Sequence, residues 1–354
     1  MDVRTANLST VLTHLYLNGP TSRSQLSAAT GLNRSTIASL VSDLDSLGLV
    51  EENEPRPNGT AGRPSPVVST RPDVAVVAVN PEIDVLTVSL VALDGTLIQG
   101  VEHPFSKIPA PDEVIALTAS IIKGFRAGRQ RILGIGVAVP GLVDSEGVIA
   151  DAPHLRWKNV PFTGPLSEAT GLPTSAANDA GLGAVAEYKF GAGRGVGNLL
   201  YLNGGASGIG GGLVAGGKPL RGGSGFAGEL GHVRVSSSNT LDSAGLPGTL
   251  EAMVSRDALM SASNKDETAT RQVKYLARGL AVAANLLNPE MVVLGGFLST
   301  LLAHNPMLLR CELERAALRP SSHLEIAPSA LEPNQLAVGA ADMAFAPLLA
   351  EVYV

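Results

Sequence analysis

The first 50 residues place apolar side chains at a helical period in three short runs. In residues 7–16 an apolar position recurs every three or four residues, which predicts a first helix. Ser22 begins a second helix, with Gln25 as its capping-box partner, and Asn33 caps a third helix. The apolar face of that third helix consists of Ile37, Leu40, Val41, Leu44 and Leu47. A glycine ends each run, at Gly19, Gly31 and Gly48.

Three short helices joined by a tight turn are typical of a helix-turn-helix, in which the N-terminal residues of the third helix face bases in the major groove. Residues 49–52 and 67–68 predict the two strands of a wing, with a turn at Asn58-Gly59. We therefore predict that the following residues contact DNA: Arg23, Asn33, Arg34, Ser35, Thr36, Ser39 and Arg63. The alternative is a plain three-helix bundle that contacts proteins.

Beyond residue 72 the pattern changes to β-rich runs that alternate with helical ones. Asp94-Gly95 is a hairpin-turn signal between two of these runs. The elements predicted next to it are strands at 74–79, 85–93 and 132–139 and a helix at 112–126. Strands and helices alternate to the C-terminus, which indicates an α/β fold. We predict a DNA-binding domain with its wing and linker at residues 1–70 and an α/β domain at residues 71–354.

Composition narrows the class of protein. A single cysteine, Cys311, among 354 residues excludes a disulfide scaffold and a cysteine-rich zinc site. The net charge is −6, and residues 1–72 balance six Arg with three Asp and three Glu, so a few arginines must carry any DNA contact. The longest uncharged stretch, 195–217, is interrupted by Asn, Ser and Gly and predicts a loop rather than a membrane span. The N-terminus lacks the apolar core of a signal peptide, so we expect a cytoplasmic protein.

Three segments hold the candidate ligand-binding chemistry. Segment 203–214 is rich in glycine, which lets backbone amides approach an anion, although an ordinary tight turn has the same composition. Segment 222–232 frames Glu229 and His232, which suit hydroxyl recognition or proton transfer, or are simply solvated on a surface loop. Asn178-Asp179 follows a strand and precedes a helix, where an acid faces the ligand crevice or caps the helix.

Together these motifs resemble the repressor and sugar-kinase family known as ROK. The resemblance covers nearly the whole chain and rests on an ordered set: the winged helix, Pro140-Gly141-Leu142-Val143-Asp144, Trp157-Lys158-Asn159-Val160-Pro161, Asn178-Asp179, the 207–212 loop, Ala227-Gly228-Glu229-Leu230-Gly231-His232, Asn288-Pro289-Glu290, Leu294-Gly295-Gly296 and Gly339-Ala340-Ala341. It implies a winged helix-turn-helix followed by a two-lobed α/β body with the actin/hexokinase-like (ribonuclease H-like) sugar-kinase fold. A sugar would bind in the cleft between the lobes.

The resemblance also implies a role for individual residues in the cleft. Asn178 and Asp179 would bind sugar hydroxyls, and Asp179 stands at the general-base position of the members that phosphorylate sugars. The rest of the pocket would be Gly141, Glu229, His232 and Glu251. Carboxylate, amide and imidazole groups together supply both the donors and the acceptors that sugar hydroxyls need.

One departure from the family pattern concerns the phosphates of ATP. Kinase members carry an Asp-x-Gly-Gly-Thr turn, and the matching stretch here is Val79-Asn80-Pro81-Glu82-Ile83-Asp84. It has no glycine, its proline lacks an amide donor, and its carboxylates repel phosphate. Because phosphoryl transfer depends on positioning and charge neutralisation, we expect no kinase activity and only a vestigial general base at Asp179.

A second departure concerns metal. The resemblance implies a structural zinc held by the histidine after Ala-Gly-Glu and by a Cys-x-Cys-Gly-x-x-x-Cys loop. In this chain Ala244 and Thr249 stand at cysteine positions, and Cys311 lies far beyond His232. Zinc takes four nitrogen or sulfur ligands in such a site. We therefore expect neither zinc nor any other cofactor.

These expectations combine into a sugar-responsive transcriptional regulator, a repressor, with operator DNA and a sugar or sugar derivative as partners and no membrane. A homodimer or dimer of dimers is expected, because two recognition helices must reach two DNA half-sites. One alternative is an active ATP-dependent sugar kinase with an accessory N-terminal domain. The other is a regulator that has lost its ligand and acts constitutively.

Overall fold

The computed structural model describes residues 2–53, 66–144, 146–206, 208–318 and 324–352. The predicted wing turn at Asn58-Gly59 and the predicted DNA contact Arg63 lie outside the described residues. Within the described part of the chain, no helix combines the length and the apolar character that a membrane crossing requires.

Three helices and a small sheet form the N-terminal winged helix-turn-helix. Its elements are α1 (Val3–Asn18), β1 (Thr21–Ser22), α2 (Arg23–Thr30), α3 (Arg34–Ser46), β2 (Val50–Asn53) and β3 (Val67–Thr70). The strands lie in the order β1-β3-β2, and both pairs are antiparallel. The predicted capping box of Ser22 and Gln25 is confirmed at the start of α2. The predicted cap of α3 is confirmed as well, because the Asn33 side chain accepts from the Thr36 amide.

The first lobe is built on a five-stranded sheet in the order β11-β7-β4-β5-β6. Its elements are β4 (Val74–Pro81), β5 (Val85–Ala92), β6 (Leu97–Pro104), α4 (Pro111–Phe125), β7 (Arg131–Val139), β8 (Leu142–Val143), β9 (Val148–Ala152), β10 (Trp157–Pro161), α5 (Thr163–Thr170), β11 (Thr174–Asn178) and α6 (Asp179–Phe190). Strands β8, β9 and β10 form a separate three-stranded flap. The predicted strands and the hairpin at Asp94-Gly95 are confirmed.

The second lobe repeats this arrangement in the order β16-β15-β12-β13-β14. Its elements are β12 (Leu199–Gly205), β13 (Gly208–Ala215), β14 (Lys218–Pro219), a 3-10 turn (Leu230–His232), α7 (Leu250–Met253), α8 (Arg256–Ser261), α9 (Lys265–Leu287), β15 (Met291–Gly296), α10 (Phe297–His304), α11 (Pro306–Ala316), β16 (Glu325–Pro328) and α12 (Gln335–Ala350). In both lobes the first strand is antiparallel to the second strand and parallel to the next one on its other side.

Helices α6 and α12 join the two lobes. Helix α6 follows the last strand of the first lobe and packs on β12 and β13 of the second lobe. Helix α12 follows the last strand of the second lobe and packs on β4 and β7 of the first lobe. The two helices also pack against each other. A change in the angle between the lobes must therefore be accommodated at this helix pair.

The winged helix-turn-helix shares one hydrophobic core with the first lobe and α12. Leu8 and Leu12 of α1 belong to the same buried cluster as Val74 of β4 and Phe345 of α12. Polar contacts reinforce the junction, since the Ser9 hydroxyl accepts from the backbone amide of Val352. The N-terminal unit is therefore packed on the body through α1 and α12.

Candidate functional site

The first predicted site residues meet where β11 ends and α6 begins. The Asn178 side-chain oxygen accepts from the Gly181 amide at 2.8 Å and so caps α6. Its amide nitrogen donates to the carbonyl of Gly141 at 3.1 Å. The structure thus brings Gly141 and Asn178 together as predicted. It also bears out the helix-cap alternative for Asn178, because the same side chain performs that task.

Asp179 lies in the first turn of α6, with 7% of its surface exposed. Burial and the neighbouring carboxylates of Glu82 and Glu229 together raise the pKa of Asp179 to about 8, although the hydrogen bond from the Ala180 amide opposes the shift. At neutral pH the Asp179 carboxyl is therefore mainly protonated. In that form it can donate a hydrogen bond as well as accept one.

The two glycine-rich segments lie against each other beside Asp179. A Cβ atom on Gly211 would lie 2.1 Å from the carbonyl oxygen of Gly228, so no other residue allows this approach of the two backbones. A Cβ atom on Gly210 would lie 2.8 Å from Ala180 Cβ and 3.7 Å from an Asp179 carboxylate oxygen. The glycines of β13 therefore form the wall next to the start of α6.

Glu229 and His232 are brought together on the second lobe, as the sequence predicts. Glu229 Oε2 and His232 Nε2 are 3.8 Å apart. Burial and the Glu251 carboxylate raise the pKa of Glu229, although His232 opposes the shift. Glu229 in turn acts on Asp179, which links this group to the start of α6.

Glu251 of α7 is already engaged with the protein. Its Oε2 accepts from the Ile209 amide at 3.0 Å, and its Oε1 accepts from the amide of Ser243 at 3.0 Å and from the Ser243 hydroxyl at 2.6 Å. Gly208 has a φ of +89°, and a Cβ atom there would lie 2.1 Å from Glu251 Oε2. The Glu251 carboxylate therefore connects the start of β13 to Ser243, which lies in the loop between the 3-10 turn and α7. That the residue also binds a sugar stays a prediction.

His154 is a cleft residue that the sequence analysis missed. It lies on the flap between β9 and β10, and its Nε2 is 3.9 Å from Glu251 Oε1. The Nε2 atom is inaccessible to solvent and has no hydrogen-bond partner among the described residues. The flap therefore brings an imidazole up to the second lobe. No signal within the local sequence announces this contact.

Asp242 is the second missed residue, and its side chain is fully buried. Asp242 Oδ2 and His232 Nδ1 are 2.8 Å apart, so the imidazole N–H donates to the carboxylate. Burial opposes both charges, yet this hydrogen bond keeps the pKa of His232 above and the pKa of Asp242 below its usual value. His232 Nδ1 is thus held by the protein, and Nε2 is the imidazole nitrogen directed towards Glu229.

The stretch that departs from the kinase pattern forms a tight turn at the cleft. Strand β4 continues through Pro81, and the Glu82 amide donates to the carbonyl of Val85 at 2.8 Å. Asn80 donates its side-chain amide to the carbonyl of Ala138 at 3.0 Å. The Glu82 carboxylate is close enough to Asp179 to raise its pKa. Negative charge therefore stands beside Asp179 at this end of the first lobe.

A second candidate surface is the N-terminal end of α3. Asn33 Oδ1 accepts from the Thr36 amide and from the Ser35 hydroxyl, so these side chains stabilise the helix start. Arg34 is exposed, and among the described residues it has neither a hydrogen bond nor an ion pair. Thr36 is half-buried, and Ser39 is exposed. That these residues contact DNA stays a prediction.

Ion pairs engage two arginines of this unit. Arg23 pairs with Glu52 of the wing strand β2, and that Arg23 contacts DNA stays a prediction. Arg4, which the analysis missed, pairs with Asp43 of α3, and its guanidinium donates to Ser39 at 3.3 Å. Two of the arginines are therefore partly neutralised, and Arg34 is the unpaired cation at the start of α3.

Comparison with known proteins identifies the family. The model that describes the ROK family matches residues 84–346. The chain belongs to the ROK family. It is 28% identical over 365 residues to the xylose repressor of Bacillus subtilis (strain 168), an alignment that covers 95% of this chain and 94% of that protein. It is 33% identical over 168 residues to the glucokinase of Streptomyces coelicolor, covering 46% of this chain and 52% of the glucokinase.

Solved structures of ROK proteins have the same fold. One is a ROK family transcriptional regulator, a homolog of the E. coli MLC protein, with a TM-score of 0.78, 24% identity, and coverage of 97% of this chain and 96% of that one. Another is a ROK family glucokinase from Streptomyces griseus in complex with glucose and AMPPNP, with a TM-score of 0.68, 23% identity, and coverage of 76% and 98%. The predicted two-lobed α/β fold is thereby confirmed.

Resemblance to ROK members implies a structural zinc. The side chains at the corresponding positions of this chain do not suit that ion. With Ala244 and Thr249 at two cysteine positions and Gly245 at the glycine, the first cysteine position is Asp242. Donor atoms of His232, Asp242 and Glu251 lie within 4.8 Å of one another, but they are one imidazole and two carboxylates. The thiolates of the family's zinc site are absent from these positions.

Proposed function

We propose that this chain is a sugar-responsive transcriptional repressor of the ROK family. The winged helix-turn-helix binds operator DNA, and the cleft that contains Asn178, Asp179, Glu229 and His232 binds a sugar or sugar derivative. The likeness to the xylose repressor supports this proposal because it extends over nearly the full length of both proteins. The protein acts as a homodimer, or a dimer of dimers, in the cytoplasm, so that two copies of α3 reach two half-sites.

The observation that carries the proposal is the path of α6. The helix has 12 residues and spans about 18 Å. Its first turn carries Asp179 in the cleft, and its last residue, Phe190, packs on Tyr16 of α1 with ring centroids 5.3 Å apart. One rigid helix thus runs from the candidate sugar site to the winged helix-turn-helix.

Tyr16 contacts both of the helices that join the lobes. Its ring also packs on Phe345 of α12, with centroids 5.8 Å apart, and burial together with the nearby Asp342 carboxylate of α12 raises the pKa of the Tyr16 hydroxyl. Lys189 of α6 contacts both oxygens of the Asp342 carboxylate at 2.8 Å. A sugar that favours one angle between the lobes therefore changes how α1 packs on α6 and α12. This change in packing alters the orientation of the DNA-binding unit.

The turn between β4 and β5 favours the interpretation of this chain as a sensor rather than an enzyme. ATP phosphates need backbone amides and cations, whereas this turn offers Pro81 and the Glu82 carboxylate. We therefore assign no catalytic residue to the cleft.

An active sugar kinase is the second candidate, because glucokinases are among the relatives and an aspartate stands at the start of α6. Steady ATP turnover with D-glucose or D-xylose, lost in Asp179→Asn, would support the kinase. We expect turnover no faster than in a reaction without protein.

One experiment measures DNA and sugar binding on the full-length protein. The probes are a DNA fragment from upstream of its own gene, in fluorescence anisotropy at fixed salt, and D-xylose and D-glucose, in titration calorimetry. We expect Arg34→Ala to weaken DNA binding about tenfold or more and to leave sugar binding unchanged. Asp179→Ala should abolish sugar binding and preserve DNA binding without sugar.

The matched control is Arg271→Ala, because Arg271 is an exposed arginine on α9, far along the chain from α3. It should change neither affinity. Equal loss of DNA affinity in the two arginine variants would remove Arg34 from the DNA-reading surface. Unchanged sugar binding in both Asp179→Ala and Glu229→Ala would refute the assignment of the cleft.

A further inference from the structure

Residues 233–249 connect the 3-10 turn to α7 and have almost no regular structure of their own. Within this segment, which the structure describes throughout, strand pairing is limited to isolated bridges, Arg234 with Thr249 and Leu241 with Pro247. A few further backbone hydrogen bonds, such as the one from the Gly248 amide to the Thr240 carbonyl at 2.9 Å, support the loop. Ser243 of this segment nevertheless contacts Glu251, and the segment starts next to His232. Its conformation therefore matters to two cleft residues.

The Asp242 carboxylate is at the centre of the side-chain hydrogen bonds in this segment. Oδ2 accepts from His232 Nδ1 at 2.8 Å and from the Thr249 hydroxyl at 2.8 Å. Oδ1 accepts from the backbone amides of Ala244 at 3.0 Å and Leu246 at 2.8 Å. The side chain is completely buried. One carboxylate thus ties the start, the middle and the end of the segment together.

This geometry is that of hydrogen bonding rather than of metal coordination. A carboxylate has about four acceptor positions, and Asp242 uses one for each of its four donors. Tetrahedral ligands of zinc would lie about 3.3 Å apart, given zinc–ligand distances of about 2.0–2.1 Å, whereas His232 Nδ1 and Asp242 Oδ2 are 2.8 Å apart. Glu251, the third group that could hold an ion, already accepts three hydrogen bonds.

We propose that the buried Asp242 carboxylate replaces the zinc ion of this family as the group that holds the 233–249 segment. Asp242 and Thr249 occupy the first and last cysteine positions, and Asp242 accepts hydrogen bonds from both Thr249 and His232, so no ion is needed to join them. Charge-assisted hydrogen bonds in a buried site are strong enough for this task. The protein folds its cleft without metal, and His232 keeps its orientation because Asp242 fixes Nδ1.

The test measures metal content by mass spectrometry and thermal unfolding with and without EDTA, on full-length protein. We expect the wild type to carry far less than one zinc ion per chain and to keep its Tm in EDTA. Asp242→Ala should lower Tm by about 5 °C or more, because buried donors lose their acceptor. The matched control is Glu314→Ala, which removes an exposed carboxylate on α11 and should leave Tm unchanged.

A variant designed to bind zinc tests whether Asp242, Ala244 and Thr249 stand at the three cysteine positions of the family's zinc site. Asp242→Cys, Ala244→Cys and Thr249→Cys together should create a site with His232 that binds one zinc ion per chain and makes Tm sensitive to EDTA. A folded triple variant that takes up no zinc overturns this correspondence of positions. Stoichiometric zinc in the wild type, a wild-type Tm lowered by EDTA, or equal Tm values for Asp242→Ala and Glu314→Ala would each overturn the replacement.

Discussion

The two lobes share one strand order but differ at the turn that follows the first strand of each sheet. In the first lobe β4 turns into β5 through Pro81 and Glu82, and no glycine is present. In the second lobe β12 turns into β13 with Gly208 at a φ of +89°. The first turn presents a carboxylate towards Asp179, whereas the second presents the backbone amide of Ile209, which Glu251 already occupies.

This difference shows that the two sheets accommodate turns of opposite character without a change of fold. Both hairpins keep their antiparallel pairing, so the sheets do not depend on the sequence of the turn. What changes is the charge that the turn presents to the cleft. The first turn acts on the ionisation of Asp179, and the second holds α7 through Glu251. A change in the first turn should therefore alter the pH dependence of stability, whereas a change in the second should alter the contacts of Glu251.

The largest expected effect is the dependence of stability on pH through Asp179. The folded chain keeps the Asp179 proton up to about pH 8, whereas the unfolded chain releases it near the ordinary aspartate pKa of 3.8. Because the folded state binds more protons over this range, the free energy of unfolding falls as pH rises from about 4 to about 8. Asp179→Asn should lose less stability than the wild type between pH 5 and pH 9 in urea unfolding.

The same measurement compares the two lobes. Glu82 of the first-lobe turn acts more strongly on Asp179 than Glu229 of the second lobe does. Glu82→Gln should therefore flatten the pH profile of the wild type more than Glu229→Gln. Parallel profiles for the wild type and Asp179→Asn would contradict the raised pKa. A larger effect of Glu229→Gln would mean that Glu229 of the second lobe raises the pKa of Asp179 more than Glu82 does.

The next effect concerns the second-lobe turn. Gly208→Ala should cost about 1–3 kcal/mol in backbone strain, and it should also displace the Glu251 carboxylate, at about 1–3 kcal/mol more. Gly95→Ala is the matched control, because Gly95 has a φ of +83° but open space around its Cβ position. The control should show the strain alone in urea unfolding. Equal losses in the two variants would mean that Glu251 does not hold this turn.

Local features of the fold follow from the sequence, while contacts between distant segments do not. The capping box of Ser22 and Gln25 is predictable because both partners lie within one helical turn. The pairing of Arg23 with Glu52 is not, since it depends on how the wing folds back on α2. His154 is a similar case, because only the packing of the flap against α7 brings it to Glu251.

The residues of the candidate site likewise fall into those that the sequence predicts and those that only the folded chain brings together. Glycine positions and the local motifs predict where the cleft lies and single out Glu229 and His232, and family resemblance adds Gly141 and Glu251. Asp242 escapes both kinds of reasoning, since a single aspartate in a serine-rich loop has no distinguishing local pattern. Its importance comes from burial and from four donors that converge only in the folded chain.

The smallest expected effect tests how the lobes reach the DNA-binding unit. Tyr16 lies between Phe190 of α6 and Phe345 of α12, so it contacts the helix that each lobe contributes to the junction. Tyr16→Phe keeps both ring contacts and removes only the hydroxyl that lies near the Asp342 carboxylate, so we expect a loss of about 1 kcal/mol in the free energy of unfolding.

The control is Tyr275→Phe on α9, whose hydroxyl has no hydrogen bond among the described residues and whose removal should cost almost nothing. The Tyr16 hydroxyl of α1 lies near the Asp342 carboxylate of α12, and Lys189 of α6 contacts the same carboxylate. Tyr16→Phe should therefore weaken the effect of sugar on DNA affinity more than it weakens either binding event alone. If the sugar effect is the same in both tyrosine variants, the lobes reach α1 through ring packing and not through Asp342.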